Sequence, residues 1–228
     1  MFEIIKRESP NFSSRNGLKP SILVLHYTGM KSSDEALERL CDKRSEVSSH
    51  YVIDENGKIF QLVDENNCAW HAGVSYWRGN KNINNISIGI EIVNTGHEFG
   101  YVPFPQIQME SVLVLSKNIL NKYNIEAVNV VGHSDVAPLR KSDPGELFDW
   151  KFLAKNGVGN FPIIKKHLFA KEESLIKNLS SYGYEIPHKK EDLQKIIIAF
   201  QRHFRQSNIN GLWDDECESI LAELLQMV

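Results

Sequence analysis

The chain has 228 residues, with a hydrophobic share of 42%, a charged share of 24% and a formal net charge of −3. Those proportions belong to a soluble globular protein with room for one larger domain and a small appendage. Residues 171–228 hold seven Lys/Arg against ten Asp/Glu and the rest of the chain is balanced, so no basic footprint for nucleic acid or an anionic membrane is present.

Met1 to Arg7 lacks the apolar run of a secretory signal, and no stretch has the length to cross a bilayer. As written, the expected compartment is the cytoplasm. Cys41, Cys68 and Cys217 are odd in number and share no metal-motif spacing, which fits unpaired thiols. Residues 1–20 are polar and carry Pro10, Gly17 and Pro20, predicting an irregular lead-in. Ser21 to Leu25 reads as a buried strand that delivers His26. Ser32 and Glu35 form a capping-box pattern ahead of a helix with Ala36, Leu37, Leu40 and Cys41 on one face. His50–Ile53 and Lys58–Val63 flank Asn56-Gly57 and predict a hairpin. Ala69 to Gly79 is an aromatic-rich loop, either a clasp over the core or a cleft wall, and it contains His71.

In Ile86–Val93 the isoleucines alternate with Ser87, Gly89 and Glu91, so Glu91 shares a strand face with the two small residues. Pro105 opens a helix through Tyr123. Val128 to Val131 reads as a strand with His133 just past its end, followed by a loop that Pro138, Pro144 and Gly145 keep non-helical. The order of elements predicts an α/β fold, a central mixed β-sheet flanked by helices. From about residue 172 the pattern becomes three short amphipathic helices, giving a division into 1–170 and an all-α module over 171–228.

A lone histidine at a strand end is more often structural than a ligand. Two of them, His26 and His133, with Asp143 on a rigid loop ten positions beyond His133, favour a divalent metal such as zinc. Three protein ligands leave a position for water, as in catalytic sites. Glu91 is either a sheet-edge surface carboxylate or the base that takes a proton from that water. Lys141 is a solvated lysine by default, but its place two residues before Asp143 would bring its charge near a developing oxyanion. His50, His97, His167, His188 and His203 show no comparable pairing and read as structural or surface residues.

The segments Leu25-His26-Tyr27-Thr28, Ser48-Ser49-His50-Tyr51, Ala69 to Gly73, Ser87 to Glu91, and Gly132 to Asp135 with Lys141 to Gly145 occur in that order. Together they resemble the zinc-dependent N-acetylmuramoyl-L-alanine amidases, whose fold is shared with peptidoglycan recognition proteins. Phe200 to Arg205 with Asn210-Gly211 and Asp214 to Glu216 resembles the helical peptidoglycan-binding module. The resemblance implies Zn2+ held by His26, His133 and Asp143, with Glu91 as catalytic carboxylate and Lys141 as transition-state cation. It implies hydrolysis of the amide between N-acetylmuramic acid, intact or anhydro, and L-alanine in peptidoglycan or muropeptides. Relatives joining both parts are outer-membrane lipoproteins, which makes the periplasm or cell envelope the alternative location. Two other readings share these residues: a recognition protein that binds without cutting, and a metallopeptidase acting on the stem peptide.

Overall fold

The computed structural model describes residues 3–228. Its centre is a six-stranded mixed sheet built from β1 (Ile4–Lys6), β3 (Ile22–Tyr27), β4 (Tyr51–Ile53), β5 (Ile59–Gln61), β7 (Ser87–Ile92) and β8 (Val130–Gly132). The order across the sheet is β1-β5-β4-β7-β3-β8; only the β4–β5 hairpin is antiparallel. Asp54 holds that hairpin by accepting from the Asn56 and Lys58 amides at 2.9 and 2.8 Å. Gly57 follows at φ 79°, where a Cβ would also meet the Ile107 carbonyl at 2.8 Å.

The polar lead-in is not irregular throughout. It contributes β1, parallel to β5 at the sheet edge, and β2 (Phe12–Ser14), which pairs with β6 (Asn67–Ala69). All six residues of β1 and β2 are exposed, so no buried face marks them in the sequence; their partners supply the order. The strand expected from Ile86 begins one residue later, because Ile86 closes the short helix α2 (Ile83–Ile86).

Helix α1 (Ser33–Cys41) starts where expected, with the Ser32 side chain accepting from the Glu35 amide at 3.2 Å. Alternation along β3 and β7 separates two cores. Leu23, Leu25, Ile88, Ile90 and Ile92 face one side and pack with Met109, Val112, Leu115 and Ile119 of α3 (Gln106–Tyr123) and with Phe148 and Trp150. Ile22 and Val24 face the other side, as does His26, two residues further along the same strand face. There they join Trp77, Val131 and Val136 and the apolar faces of α6 (Glu172–Tyr182), α7 (Lys190–Phe204) and α8 (Asp215–Leu224). The three C-terminal helices therefore share one continuous core with the second face of the sheet. Two short helices, α4 (His133–Val136) and α5 (Trp150–Lys155), flank the loop that carries Asp143. Among the described residues, no helix is long and apolar enough to cross a membrane.

Candidate metal centre

Parallel strands β3, β7 and β8 lie side by side, and each delivers a polar side chain at or near its C-terminal end. Register places His26 directly beside Glu91, so both leave the same face of the sheet. His133 follows β8 immediately, and its turn is fixed to the second loop by the Ser134 amide donating to the Asp143 carbonyl at 2.8 Å. A residue on a strand, one on a tight turn and one on a Pro-bounded loop thereby meet without a flexible element between them.

The meeting is close. His26 Nδ1 lies 2.9 Å from His133 Nδ1 and 3.1 Å from Asp143 Oδ2, and His133 Nδ1 lies 3.0 Å from the same oxygen. All three residues are buried. His133 Nε2 faces the Ala72 carbonyl at 3.1 Å, an acceptor only, so that nitrogen carries the proton and Nδ1 presents a lone pair. Behind His26, its Nε2 is 3.0 Å from His71 Nδ1, and His71 Nε2 is 3.1 Å from Ser87 Oγ. A cation among the three atoms requires the lone pair of His26 on Nδ1. Its Nε2–H then donates to His71, and His71 donates from Nε2 to Ser87. Each ring nitrogen of His26, His71 and His133 then has a role, and two imidazole lone pairs with one carboxylate oxygen point at one spot. Such a donor set fits a metal ion, and zinc in particular accepts two histidines and a carboxylate.

Electrostatics agree with that fit. Burial and the neighbouring His133 push His26 down to about 4, against the pull of Asp143. Burial alone would raise the Asp143 carboxyl, but His133 and His26 hold it well below the usual carboxylate range. Burial, with His26, His50 and His133 close by, keeps His71 far below its ordinary value and so neutral. Glu91, its side chain 15% exposed, has Oε1 4.0 Å from His26 Nδ1, while Oε2 is buried without a partner. Burial and then Asp143 raise its carboxyl well above the ordinary value, with Lys141 opposing. An unpartnered buried carboxylate oxygen beside a lone-pair cluster is costly unless water or a cation meets it.

The cluster opens into a cleft of about 900 Å³ whose walls include Tyr27, Trp70, Phe99, Lys141 and Ser142. All five residues singled out in the sequence, His26, Glu91, His133, Lys141 and Asp143, line or adjoin this cleft. His71, whose loop was a candidate cleft wall, lines it from behind His26. Three contributors were missed. Arg140 straps the aromatic loop to the ligand loop, its Nη2 donating to the Ala72 carbonyl and, at 2.8 Å, to the Val74 carbonyl. Ser87 ends the proton chain behind His26. Asp135, inside the quoted Gly132 to Asp135 motif, is buried and engaged by residues far along the chain. His97, read as structural or surface, has Nδ1 2.9 Å from the hydroxyl of the cleft-lining Tyr27 and Nε2 3.1 Å from Glu146.

Known proteins give this geometry a context. The sequence profile of the N-acetylmuramoyl-L-alanine amidase family matches residues 16–146. The chain is 39% identical over 232 residues to the N-acetylmuramoyl-L-alanine amidase AmiD of Escherichia coli K12, covering 90% of this chain and 82% of AmiD. It is 34% identical over 163 residues to the 1,6-anhydro-N-acetylmuramyl-L-alanine amidase AmpD of Haemophilus influenzae, covering 63% of this chain and 86% of that one. The structure of E. coli AmiD with anhydro-N-acetylmuramic acid-L-Ala-D-gamma-Glu-L-Lys matches with a TM-score of 0.84 at 37% identity, covering 96% of this chain and 92% of AmiD. Fold and site together define a hydrolase that carries a metal-site cluster. The chain belongs to the N-acetylmuramoyl-L-alanine amidase family, and it is an enzyme that hydrolyses the amide between N-acetylmuramic acid and L-alanine.

Proposed function

We propose that this amidase is zinc-dependent, with His26, His133 and Asp143 as ligands, Glu91 as the proton-transferring carboxylate and Lys141 as the cation facing the developing oxyanion. The observation that carries the proposal is the convergence of two Nδ1 atoms and one carboxylate oxygen, with the other nitrogen of each imidazole engaged from behind by His71 or the Ala72 carbonyl. A zinc ion held by His26, His133 and Asp143 would supply Lewis acidity for the scissile carbonyl and would bring the pKa of water towards roughly 7. Glu91, with one oxygen free, accepts the proton of the attacking water and returns it to the departing L-alanine amine. Lys141, on the cleft wall, lends positive charge to the carbonyl oxygen as the tetrahedral centre forms.

The substrate is peptidoglycan-derived. Two solved relatives of similar architecture were captured with muropeptide-type ligands: AmiD, and AMPDH3 of Pseudomonas aeruginosa with anhydromuramic pentapeptide, at a TM-score of 0.84 and 32% identity. Residues 171–228 serve as a peptidoglycan-binding-like helical segment appended to an amidase segment over 1–170, holding the enzyme on polymeric substrate where linked binding raises the local concentration.

Metal analysis of the purified chain, paired with mass spectrometry of digested muropeptides, tests the reading. The expected result is close to one zinc per chain, activity lost to a chelator and restored by zinc, and a released peptide with a free L-alanine amine. Full activity in metal-free protein, or fully active protein holding far less than one zinc per chain, would sink the zinc reading.

A further inference from the structure

We infer that the C-terminal helical segment holds the His133 turn in shape through Asp135, which makes Tyr184 and His203 positioning residues of the active site. The inference rests on the reading of His133 as a zinc ligand. Asp135 stands two residues after His133 and is 1% exposed. Its carboxylate receives three donors of different origin. The Gly132 amide, directly ahead of His133, donates to Oδ2 at 2.7 Å and closes the turn on itself. His203 Nδ1 of α7 donates to the same oxygen at 2.8 Å. The Tyr184 hydroxyl, from the loop between α6 and α7, donates to Oδ1 at 2.7 Å.

Both side-chain donors are as buried as the carboxylate, with Tyr184 at 0% and His203 at 3% exposure. The His203 ring is stacked on Trp150 at 3.8 Å with an interplanar angle of 21°. Trp150 in turn crowds Gly132, where a Cβ would come 3.3 Å from Cζ2. The turn that presents His133 is therefore enclosed on its far side by residues drawn from 150, 184 and 203.

Burial of a carboxylate requires compensation by several donors. With Tyr184 and His203 in place, Asp135 has them and can lend one lone pair to the Gly132 amide. Without them, the carboxylate keeps a single backbone donor and gains by rotating towards water, which releases Gly132 and loosens the turn. Ligand atoms must be held to within about half an ångström for a metal to bind well. A loosened turn thus weakens the metal site even while the fold persists. If the network were only general adhesive between segments, losing it would lower the melting temperature and leave the site unchanged.

Full-length Tyr184→Phe, His203→Leu and His203→Asn separate these outcomes. Tyr184→Phe keeps the ring and removes only the hydroxyl; His203→Asn keeps a donor near the Nδ1 position, while His203→Leu removes it. Three quantities are read well below the melting temperature: zinc affinity by chelator competition, kcat and KM on a soluble muropeptide, and hydrogen exchange of the Gly132 amide in zinc-free protein. Tyr184→Phe and His203→Leu are expected to weaken zinc binding about tenfold, the low end for outer-shell partners. They should lower kcat more than KM changes and speed exchange at Gly132. His203→Asn should recover most of each loss. Variants that melt earlier yet keep the parent's zinc affinity and Gly132 protection would overturn the inference. If the parent itself holds no zinc, the metal reading alone fails, and Gly132 exchange still decides whether Asp135 is held from the C-terminal side.

Discussion

Glu91 and His71 occupy the same small volume beside β7, and a glycine makes that possible. A Cβ at Gly89 would lie 2.5 Å from His71 Cγ, so the ring rests directly on the strand backbone between Ser87 and Glu91. That position lets His71 support His26 without competing for the cleft. Replacing His71 with Ala removes the acceptor for His26 Nε2–H, and zinc affinity measured by chelator competition should fall about 10–100-fold. Unchanged affinity in the folded variant would show that His26 is oriented by something else. Glu91→Gln keeps the shape of the side chain and cannot accept a proton. It should retain zinc and fold while kcat falls at least about 10²-fold, and near-native kcat would assign the proton transfer to another group.

The separate β2–β6 pair is tied to the middle of the main sheet by one buried arginine. Arg15, 3% exposed, follows β2 and donates to the carbonyls of Glu65, Asn85 and Ser87 at 2.8, 2.8 and 2.7 Å. Those carbonyls belong to the turn before β6, to α2 and to the start of β7. The lead-in therefore stays ordered by giving the central strand hydrogen bonds rather than apolar area. Arg15→Ala leaves these acceptors without a donor, and each buried orphan costs about 1–3 kcal/mol. Urea denaturation should show a loss of at least about 2 kcal/mol. A midpoint equal to the parent's would mean that water replaces the guanidinium at no cost.

Across the molecule, one core fills the face of the sheet against α3, while the face that carries the metal cluster is covered by the C-terminal helices and, around Val52, by a smaller cluster with Leu37 and Leu40 of α1. Trp77 contacts Tyr182 and Tyr184 edge-to-face at 5.8 and 5.2 Å, in the same cluster as Val131, Val136, Phe200 and Phe204. Ending the chain at residue 170 would return Trp77, Val131 and Val136 to water. Each such side chain forfeits about 1.5–3 kcal/mol of burial, against a usual total margin of about 5–15 kcal/mol. The shortened chain is expected to aggregate or melt well below the parent in thermal unfolding. A soluble truncation with the parent's melting temperature would show that the shared core adds little.

Much of this was legible in the sequence because the signals are local. β-Branched runs ending in histidines, the Ser32 cap, the Asn56-Gly57 turn and the alternation around Glu91 each depend on neighbours in the chain. The pattern points to all five proposed site residues, His26, His133 and Asp143 as ligands with functional alternatives for Glu91 and Lys141, and the resemblance to amidases implies the same five. What required the tertiary structure was every relation set by packing between distant segments. Register alone puts Glu91 beside His26. The strands β1 and β2 have no buried face and exist because β5 and β6 offer them edges. Composition marks a change near residue 171, but an amphipathic face does not state what it will cover. Here it covers the sheet, and with it the turn of His133, because the apolar residues of β3 and β8 on that side have no other partner to exclude water.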